Sequence, residues 1–232
     1  MSSSARLALL QSAEAGLAKP CQLRRHAGLA QSLFFSHSIY VLMIESPMNQ
    51  TALAQTRLSH EEYLEMEITS PVKHEYVAGF IYAMTGTTDI HNFISLNIAT
   101  ILRNHLKGSP CRVFMADVKA KLDQSDAYYY PDVMVSCEKA PNPYYREQPS
   151  LIVEVLSSST AKFDAGDKRH DYQALPSLQE YVLVSTDCMD VRVWRREESD
   201  WKVTIYTDDM LISLASVGLE IPIEQIYEEV WV

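Results

Sequence analysis

The sequence contains no closely spaced pair of cysteines. Its four cysteines are widely scattered along the chain, as Cys21, Cys111, Cys137 and Cys188, without a Cys-x-x-Cys motif or a Cys/His cluster. This spacing argues against a structural zinc site, whose ligands come in close groups along a chain. Because no signal peptide is recognisable, we expect four reduced thiols in the core of a cytoplasmic protein.

The sequence also has fewer basic residues than acidic ones. The chain has 20 Lys and Arg residues against 30 Asp and Glu residues, which gives a formal net charge of −10 at pH 7. Affinity for nucleic acid comes largely from Lys and Arg contacts with phosphates, so this composition argues against a protein that coats nucleic acid nonspecifically. It is compatible with an enzyme that has a local basic cleft, or whose acids are offset by a bound divalent cation.

Long hydrophobic runs are absent as well. The stretch 33–44 is apolar but is interrupted by Ser-His-Ser, and it is shorter than the roughly 20 residues of a membrane span. Residues 1–47 contain only two acids, and a start of this kind is either a transit peptide or an extension outside the fold. We expect an extension over 1–47, a single domain over 48–232, and no membrane partner.

Hydrophobic periodicity predicts the order of the elements. Helices are predicted over 59–67 with a capping box of Ser59 and Glu62, over 89–106 with Thr87 or Asp89 as the cap, and over 164–175. Strands are predicted as a hairpin over 73–77 and 80–85, as single strands over 112–122, 128–136, 151–156 and 180–186, and as a second hairpin over 191–195 and 201–206. The C-terminal 211–232 should form a short strand and a closing helix. Together these elements predict an α/β fold, with a mixed central β-sheet flanked by helices in one domain.

Two of these strands carry a carboxylate that packing does not require. Glu154 lies within the apolar run 151–156, which is typical of a strand buried on both faces. Asp132 follows Pro131 in a similar setting, which places it at a sheet edge, a bulge or the first residues of a strand. An isolated buried carboxylate is costly unless it is paired, protonated or bound to metal. We therefore predict that Asp132 and Glu154 share a site for Mg²⁺ or Mn²⁺.

Other ionisable residues are candidates for the same site. Glu75 lies on the first arm of the predicted hairpin, and His91 lies in the first turn of a helix, where the positive helix end favours a neutral imidazole. A lysine near the metal would stabilise the transition state of phosphoryl chemistry. The candidates are Lys119, Lys121 and Lys168, and Lys168 lies one turn into the helix that follows the Glu154 strand.

Each of these residues also has a purely structural interpretation. Glu154 could be paired with a cation for stability alone, and Asp132 could bond to the backbone in a turn. Glu75 could belong to a cross-strand ion pair, and His91 could bond to the backbone at a helix start. Lys168 could be a solvated helix residue, and only its neighbours in the sequence argue for a role.

The ordered set of these segments resembles a known family. The segments are His74-Glu75-Tyr76-Val77-Ala78-Gly79, His91-Asn92, Tyr130-Pro131-Asp132-Val133, Val153-Glu154-Val155-Leu156-Ser157, Asp164-x-x-Asp167-Lys168 with Tyr172, and Glu180-Tyr181. They resemble the PD-(D/E)XK restriction-endonuclease-like nucleases, and more closely the bacterial Uma-two family, whose members are usually called putative restriction endonucleases. The resemblance covers about 58–227 and leaves the first 47 or so residues unmatched.

The resemblance implies a role for each residue of the site. It implies Asp132 and Glu154 as metal ligands, with Glu75 as a supporting acid. The lysine expected two residues after the second acid is replaced by Leu156, and the Uma-two pattern supplies the missing charge from the following helix, here Lys168. Side chains two apart on a strand share a face, so a lysine at position 156 would have stood beside Glu154.

The sequence therefore predicts a metal-dependent endonuclease that hydrolyses phosphodiester bonds in DNA with Mg²⁺ or Mn²⁺. The alternative is a catalytically inactive module that keeps the nuclease fold and binds nucleic acid or a protein partner. The departure at Leu156 and the acidic composition favour this alternative. A homodimer is compatible with the prediction, because many enzymes that cut duplex DNA need two sites.

Overall fold

The computed structural model describes residues 57–139, 142–156, 166–198 and 200–231. The predicted extension over 1–47, and residues 164 and 165 of the predicted third helix, lie outside the described residues. The described helices are α1 (His60–Thr69), α2 (Asp89–His105), α3 (Asp167–Gln173) and α4 (Ile223–Ile226). The described strands are β1 (His74–Val77), β2 (Phe80–Ala83), β3 (Arg112–Met115), β4 (Lys119–Leu122), β5 (Ala127–Tyr129), β6 (Val133–Ser136), β7 (Tyr145–Arg146), β8 (Pro149–Leu156), β9 (Glu180–Ser185), β10 (Val191–Glu197), β11 (Asp200–Tyr206), β12 (Leu211–Leu214) and β13 (Leu219–Pro222).

A six-stranded mixed sheet forms the centre of the fold. Its strand order is β11-β10-β9-β8-β6-β3, in which β8 and β9 are parallel and the other neighbours are antiparallel. The apolar run of β8 is buried in the interior of this sheet, as predicted. Its odd-numbered residues, such as Val153, pack against α2 on one face, and Ile152 packs with Tyr172 of α3 on the other. The predicted α/β fold class is confirmed.

A second mixed sheet of five strands, in the order β2-β1-β5-β4-β7, carries the first hairpin. The two residues between β1 and β2 are Ala78 and Gly79, and both have positive φ angles, of 50° and 92°. This conformation matches the twist of a tight hairpin, and glycine adopts it without steric cost. The predicted hairpin and the capping box of Ser59 and Glu62 at the start of α1 are both confirmed.

Two stretches that were each predicted as one continuous strand are each divided into two strands. The stretch predicted over 112–122 is broken between β3 and β4, where Ala116 has a φ of 28°. The stretch predicted over 128–136 is broken at Pro131, between β5 and β6. In each case the first sheet and the second sheet share the segment, because β3 and β6 belong to the six-stranded sheet and β4 and β5 to the five-stranded one.

The C-terminal prediction is also corrected. Instead of one strand and a closing helix, the segment forms the antiparallel pair β12 and β13 followed by the four-residue helix α4. Ile212 and Ile223 are buried in the same cluster as α2, so this segment closes one face of the central sheet. Apolar residues of this segment cover the face of the sheet, and the short strands β12 and β13 contribute part of this covering.

The prediction of reduced thiols is wrong for the three cysteines that the structure describes, Cys111, Cys137 and Cys188, all of which are disulfide-bonded. Cys111 and Cys137 form a disulfide with a Cα–Cα distance of 3.9 Å. They lie directly outside the pair formed by Arg112 of β3 and Ser136 of β6, so strand pairing brings them together across 26 residues of sequence. The part of the chain that the structure describes contains no free cysteine, and none of its helices has the length and apolarity that crossing a membrane would require.

Candidate active site

Asp132 and Glu154 meet on neighbouring strands. Glu154 belongs to β8, and Asp132 lies directly before β6, which pairs with β8. The backbone N–H of Asp132 donates to Oε2 of Glu154 at 3.3 Å, and the N–H of Val155 donates to Oδ2 of Asp132 at 2.8 Å. Each carboxylate is therefore held by the backbone beside the other. Pro131, which cannot donate to a sheet ladder, lies between β5 and β6 directly before Asp132.

The side chain of Lys168 reaches into this pair from α3. Its Nζ atom lies 3.0 Å from Oε1 of Glu154 and 3.0 Å from Oε1 of Glu75. The other two candidate lysines lie elsewhere: Lys119 donates to the hydroxyl of Tyr130, and Lys121 pairs with two surface acids. Among the three lysines, Lys168 is thus the residue that the fold places beside the paired acids.

Glu75 joins the five-stranded sheet to the site. It lies on β1, and Oε1 accepts a hydrogen bond of 3.1 Å from the backbone N–H of Tyr130 as well as the ion pair with Lys168. Tyr130 is two residues before Asp132 in the chain. The carboxylate of Glu75 consequently fixes both the lysine and the segment that leads into Asp132.

His91 contacts Asp132 from the first turn of α2. Its Nε2 atom is 3.1 Å from Oδ2 of Asp132. The backbone N–H of His91 donates to the hydroxyl of Thr88, which is the N-cap of α2. The predicted caps, Thr87 and Asp89, are therefore both wrong, because the residue directly before the helix has the extended conformation and the hydroxyl that capping requires.

Two tyrosines complete the surroundings of Lys168 and were not predicted as site residues. The hydroxyl of Tyr172 donates to Oε1 of Glu154 at 3.2 Å, and the ammonium of Lys168 lies 5.3 Å from the ring centre of Tyr129. Burial raises the pKa of both phenols well above the ordinary value, so both remain protonated donors at neutral pH. A signal for Tyr172 exists in the sequence, because residues four apart, as are Lys168 and Tyr172, share one helix face.

Leu156 occupies the position at which the resemblance expects a lysine. It lies on the face of β8 that carries Glu154, and it is half-buried against the cluster that includes Tyr172. An apolar side chain fits this place because Lys168 brings its charge to Glu154 from the helix. The departure at this position is thus accompanied by a lysine that reaches the same carboxylate.

The three acids differ in their access to solvent. The side chain of Asp132 is 20% exposed, whereas those of Glu154 and Glu75 are 3% and 4% exposed. A ligand that approaches from solvent would therefore meet Asp132 first. With the three carboxylates ionised and one ammonium between them, these four groups carry an excess of negative charge, which favours a cation at the exposed acid.

The donor set is compatible with a magnesium-type cation. Nuclease families of this kind generally use divalent metals. Within the described ranges, no group of three or more His, Cys, Asp or Glu side chains has the arrangement of a metal site. Mg²⁺ does not require such a group, since it usually binds to one or two carboxylates and completes its shell with waters and substrate phosphates. Asp132 and Glu154 supply hard oxygen donors of that kind, so the residues present fit the ion.

Comparisons with known proteins agree with one another. The Uma2 (Uma-two) family model, described as "Putative restriction endonuclease", matches residues 60–224. The chain is 36% identical over 174 residues to the uncharacterized protein slr1290 of Synechocystis sp. (strain ATCC 27184 / PCC 6803 / Kazusa), covering 74% of this chain and 92% of that protein. It is 32% identical over 155 residues to the uncharacterized protein sll1609 of the same organism, covering 63% and 86%.

A solved structure has the same fold. The crystal structure of "a putative nuclease belonging to DUF820" from Anabaena variabilis superposes with a TM-score of 0.62, covering 75% of this chain and 99% of that one. The two sequences are 17% identical in the superposition, so this likeness concerns the fold. The restriction-endonuclease-like fold predicted from the sequence is confirmed.

Proposed function

The chain belongs to the Uma2 family, and from that premise we propose that it is a metal-dependent endonuclease that hydrolyses phosphodiester bonds in DNA. The observation that carries the proposal is the position of Lys168, whose ammonium lies 3.0 Å from the carboxylates of both Glu154 and Glu75. A buried lysine held in this way beside a partly exposed Asp132 supplies the charges that phosphoryl transfer requires.

In this proposal Asp132 and Glu154 hold Mg²⁺ or Mn²⁺. The bound cation supplies Lewis-acid polarisation of the phosphoryl group and neutralises developing negative charge. Lys168 adds a positive charge close to phosphorus. Glu75 and the hydroxyl of Tyr172 position this lysine and the carboxylate of Glu154, so that neither group has to reorganise during the reaction.

His91 has a separate role in the proposal. Its Nε2 atom lies 3.1 Å from Oδ2 of Asp132. When Nε2–H donates to this carboxylate, Nδ1 carries the lone pair that accepts a proton from the attacking water, and the hydrogen bond to Asp132 fixes the orientation of the ring. The homodimer and the cytoplasmic location expected from the sequence stay predictions, as does DNA rather than RNA as the substrate.

The first test is a cleavage assay on supercoiled plasmid, single-stranded DNA and RNA, each with Mg²⁺ and with Mn²⁺. We expect the intact chain to cut DNA, and Asp132→Ala to lower the rate by on the order of 10³-fold, the scale of removing one group that stabilises transition-state charge. The matched control is Asp208→Ala, which removes an exposed aspartate from the turn after β11. This control should cut at the rate of the intact chain.

Two results would reject this assignment. Equal cleavage by the intact chain and by Asp132→Ala would place the chemistry elsewhere. If the intact chain cuts none of the substrates, its melting temperature with and without Mn²⁺ decides between the remaining functions, because a ligand stabilises the state that it binds. A melting temperature that Mn²⁺ leaves unchanged would establish the alternative, a nuclease-fold module without catalysis.

A further inference from the structure

A basic pocket lies at the outer edge of the central sheet, away from the candidate active site. It has a volume of about 530 Å³ and is formed by the C-terminal end of α2, the turn that follows it, and β3. Arg103, Lys107 and Arg112 line it together with the hydroxyl-bearing Ser109 and the ring of Phe114. None of the residues that line it is acidic, although acids outnumber bases in the whole chain.

The three cations of the pocket have no carboxylate partner among the described residues. Other basic side chains of this chain do, including Lys73, Lys121 and Arg192, each of which pairs with an aspartate. A helix C-terminus favours nearby cations, which accounts for Arg103 and Lys107. It does not account for Arg112, which lies on β3. Three uncompensated cations around one concave surface attract an anion.

A fourth cation, Arg146, contacts Phe114, which is one of the residues that line the pocket. The guanidinium of Arg146 lies 4.4 Å from the ring centre of Phe114, and its Nη1 donates to the backbone carbonyls of Asn142 and Tyr145. Its charge therefore remains uncompensated by any acid among these contacts. The half-buried ring of Phe114 therefore has one cation packed against it.

The register of β3 and β6 gives the distance from the candidate active site. Met115 pairs with Val133, the residue after Asp132, and Arg112 pairs with Ser136 at the other end. Three strand residues span about 10 Å. The phosphates of one DNA strand follow one another at about 3.4 Å along the helix axis, so about three nucleotides cover this distance. One bound strand can thus contact Asp132 and Arg112 together.

We propose that this pocket binds the phosphate backbone of the DNA strand, about three nucleotides from the bond that is cut. The inference rests on the proposed function, because it names the surface that holds the same substrate. Its ligand is the sugar-phosphate backbone, which carries the same charge in every sequence. The pocket therefore adds affinity and positions the strand without reading bases.

The test measures DNA binding without cleavage, in EDTA, with a short fluorescent duplex over a series of salt concentrations. Arg112→Gln is compared with Lys202→Gln, since these residues lie on the two opposite edge strands of the same sheet, β3 and β11. Each phosphate contact contributes about 0.9 to the slope of log affinity against log salt. We expect Arg112→Gln to make this slope shallower by about 0.9. The triple variant, which adds Arg103→Gln and Lys107→Gln, should make it shallower by about 2.7. The control Lys202→Gln should leave the slope unchanged.

The outcomes separate this inference from the proposed function. If Arg112→Gln and Lys202→Gln bind with the same slope as the intact chain, the pocket assignment is wrong even where the chain cuts DNA. A shallower slope for Arg112→Gln in a chain that cuts nothing supports the pocket and rejects the nuclease. Absence of any DNA binding by the intact chain, or tighter binding to an RNA duplex with the same dependence on Arg112, overturns the assignment to DNA.

Discussion

At the scale of single residues, the ammonium of Lys168 is the centre of the candidate active site. It is buried, and it lies 3.0 Å from each of two buried carboxylates. A buried charge is tolerated only with partners of opposite sign, so each of these groups depends on the others. Removing the lysine would leave Glu75 and Glu154 close together without a cation.

We therefore expect Lys168→Met to lower the free energy of unfolding by about 3–5 kcal/mol, the usual effect of breaking a buried ion pair from one side. The matched control is Lys121→Met, whose partners Asp123 and Glu147 are largely exposed and contribute about 0–1 kcal/mol. Urea unfolding monitored by fluorescence measures both variants. Equal midpoints for the two variants would show that the contacts of Lys168 do not stabilise the chain.

Part of the site could be predicted from single residues. Glu154 and Asp132 could be singled out because a carboxylate inside an apolar strand does not contribute to hydrophobic packing. The structure brings them together with three further candidates, Lys168, Glu75 and His91. Thr88 and Tyr172 could not be assigned in the same way. Each contributes through one hydroxyl, which in Thr88 accepts a hydrogen bond from the backbone N–H of His91 and in Tyr172 donates one to Glu154. Threonine is ordinary at a helix start and tyrosine in a core.

At the scale of elements, the start of α2 determines where His91 lies. The hydroxyl of Thr88 accepts the backbone N–H of His91, and the imidazole of His91 contacts Asp132. A side-chain cap satisfies one of the backbone donors that a helix leaves unpaired at its start. The cap therefore fixes the first turn from which His91 reaches the site.

We expect Thr88→Ala to destabilise the chain by about 1 kcal/mol, as the loss of an N-cap usually does. Thr100→Ala makes the same chemical change at an exposed position within α2 and should be neutral or slightly stabilising, since alanine is the better helix former. Thermal unfolding compares the two variants. A larger loss of stability in Thr100→Ala than in Thr88→Ala would contradict the capping role.

Elements differed in how well the sequence predicted them. Helices α1, α2 and α3, the hairpins β1–β2 and β10–β11, and strand β8 were predicted because each has one period and clear end signals, whereas the pair β12–β13 was not predicted. The strands over 112–122 and 128–136 were predicted as continuous, because the alternation of 112–122 runs through Ala116 and because Pro131 is compatible with a bulge or a sheet edge. In the structure the chain passes from one sheet to the other at both points. Periodicity describes the burial of successive residues, and it carries no information on which sheet a strand joins. The disulfide between Cys111 and Cys137 was not predicted for a related reason, because only the pairing of β3 with β6 brings these two residues together.

At the scale of the whole molecule, buried phenols are concentrated around the five-stranded sheet and its neighbours. Burial is the main cause that raises the pKa of Tyr63, Tyr128, Tyr129, Tyr130 and Tyr172 above the ordinary value. For Tyr128 the pKa rises to about 12. A folded-state pKa above that of the unfolded chain means that folding favours the protonated phenol.

This sign predicts an alkaline limit to stability. The contribution of these phenols is complete below about pH 10, the pKa of an unfolded tyrosine, and is lost as the pH rises through about 12 at Tyr128. We expect the absorbance of the ionised buried phenols to appear only together with the loss of circular dichroism. Titration of all 13 tyrosines near pH 10 in a chain that stays folded would contradict the burial argument.

The ion pairs of Lys168 join two sheets that could otherwise part, because Glu75 belongs to one sheet and Glu154 to the other. Local opening between packed units of a protein requires less free energy than complete unfolding. Once the sheets separate, the acids and the lysine no longer face one another. A chain that is newly synthesised, or briefly open, would thus lack the assembled cluster of acids and lysine, which would form only when the two sheets dock against each other.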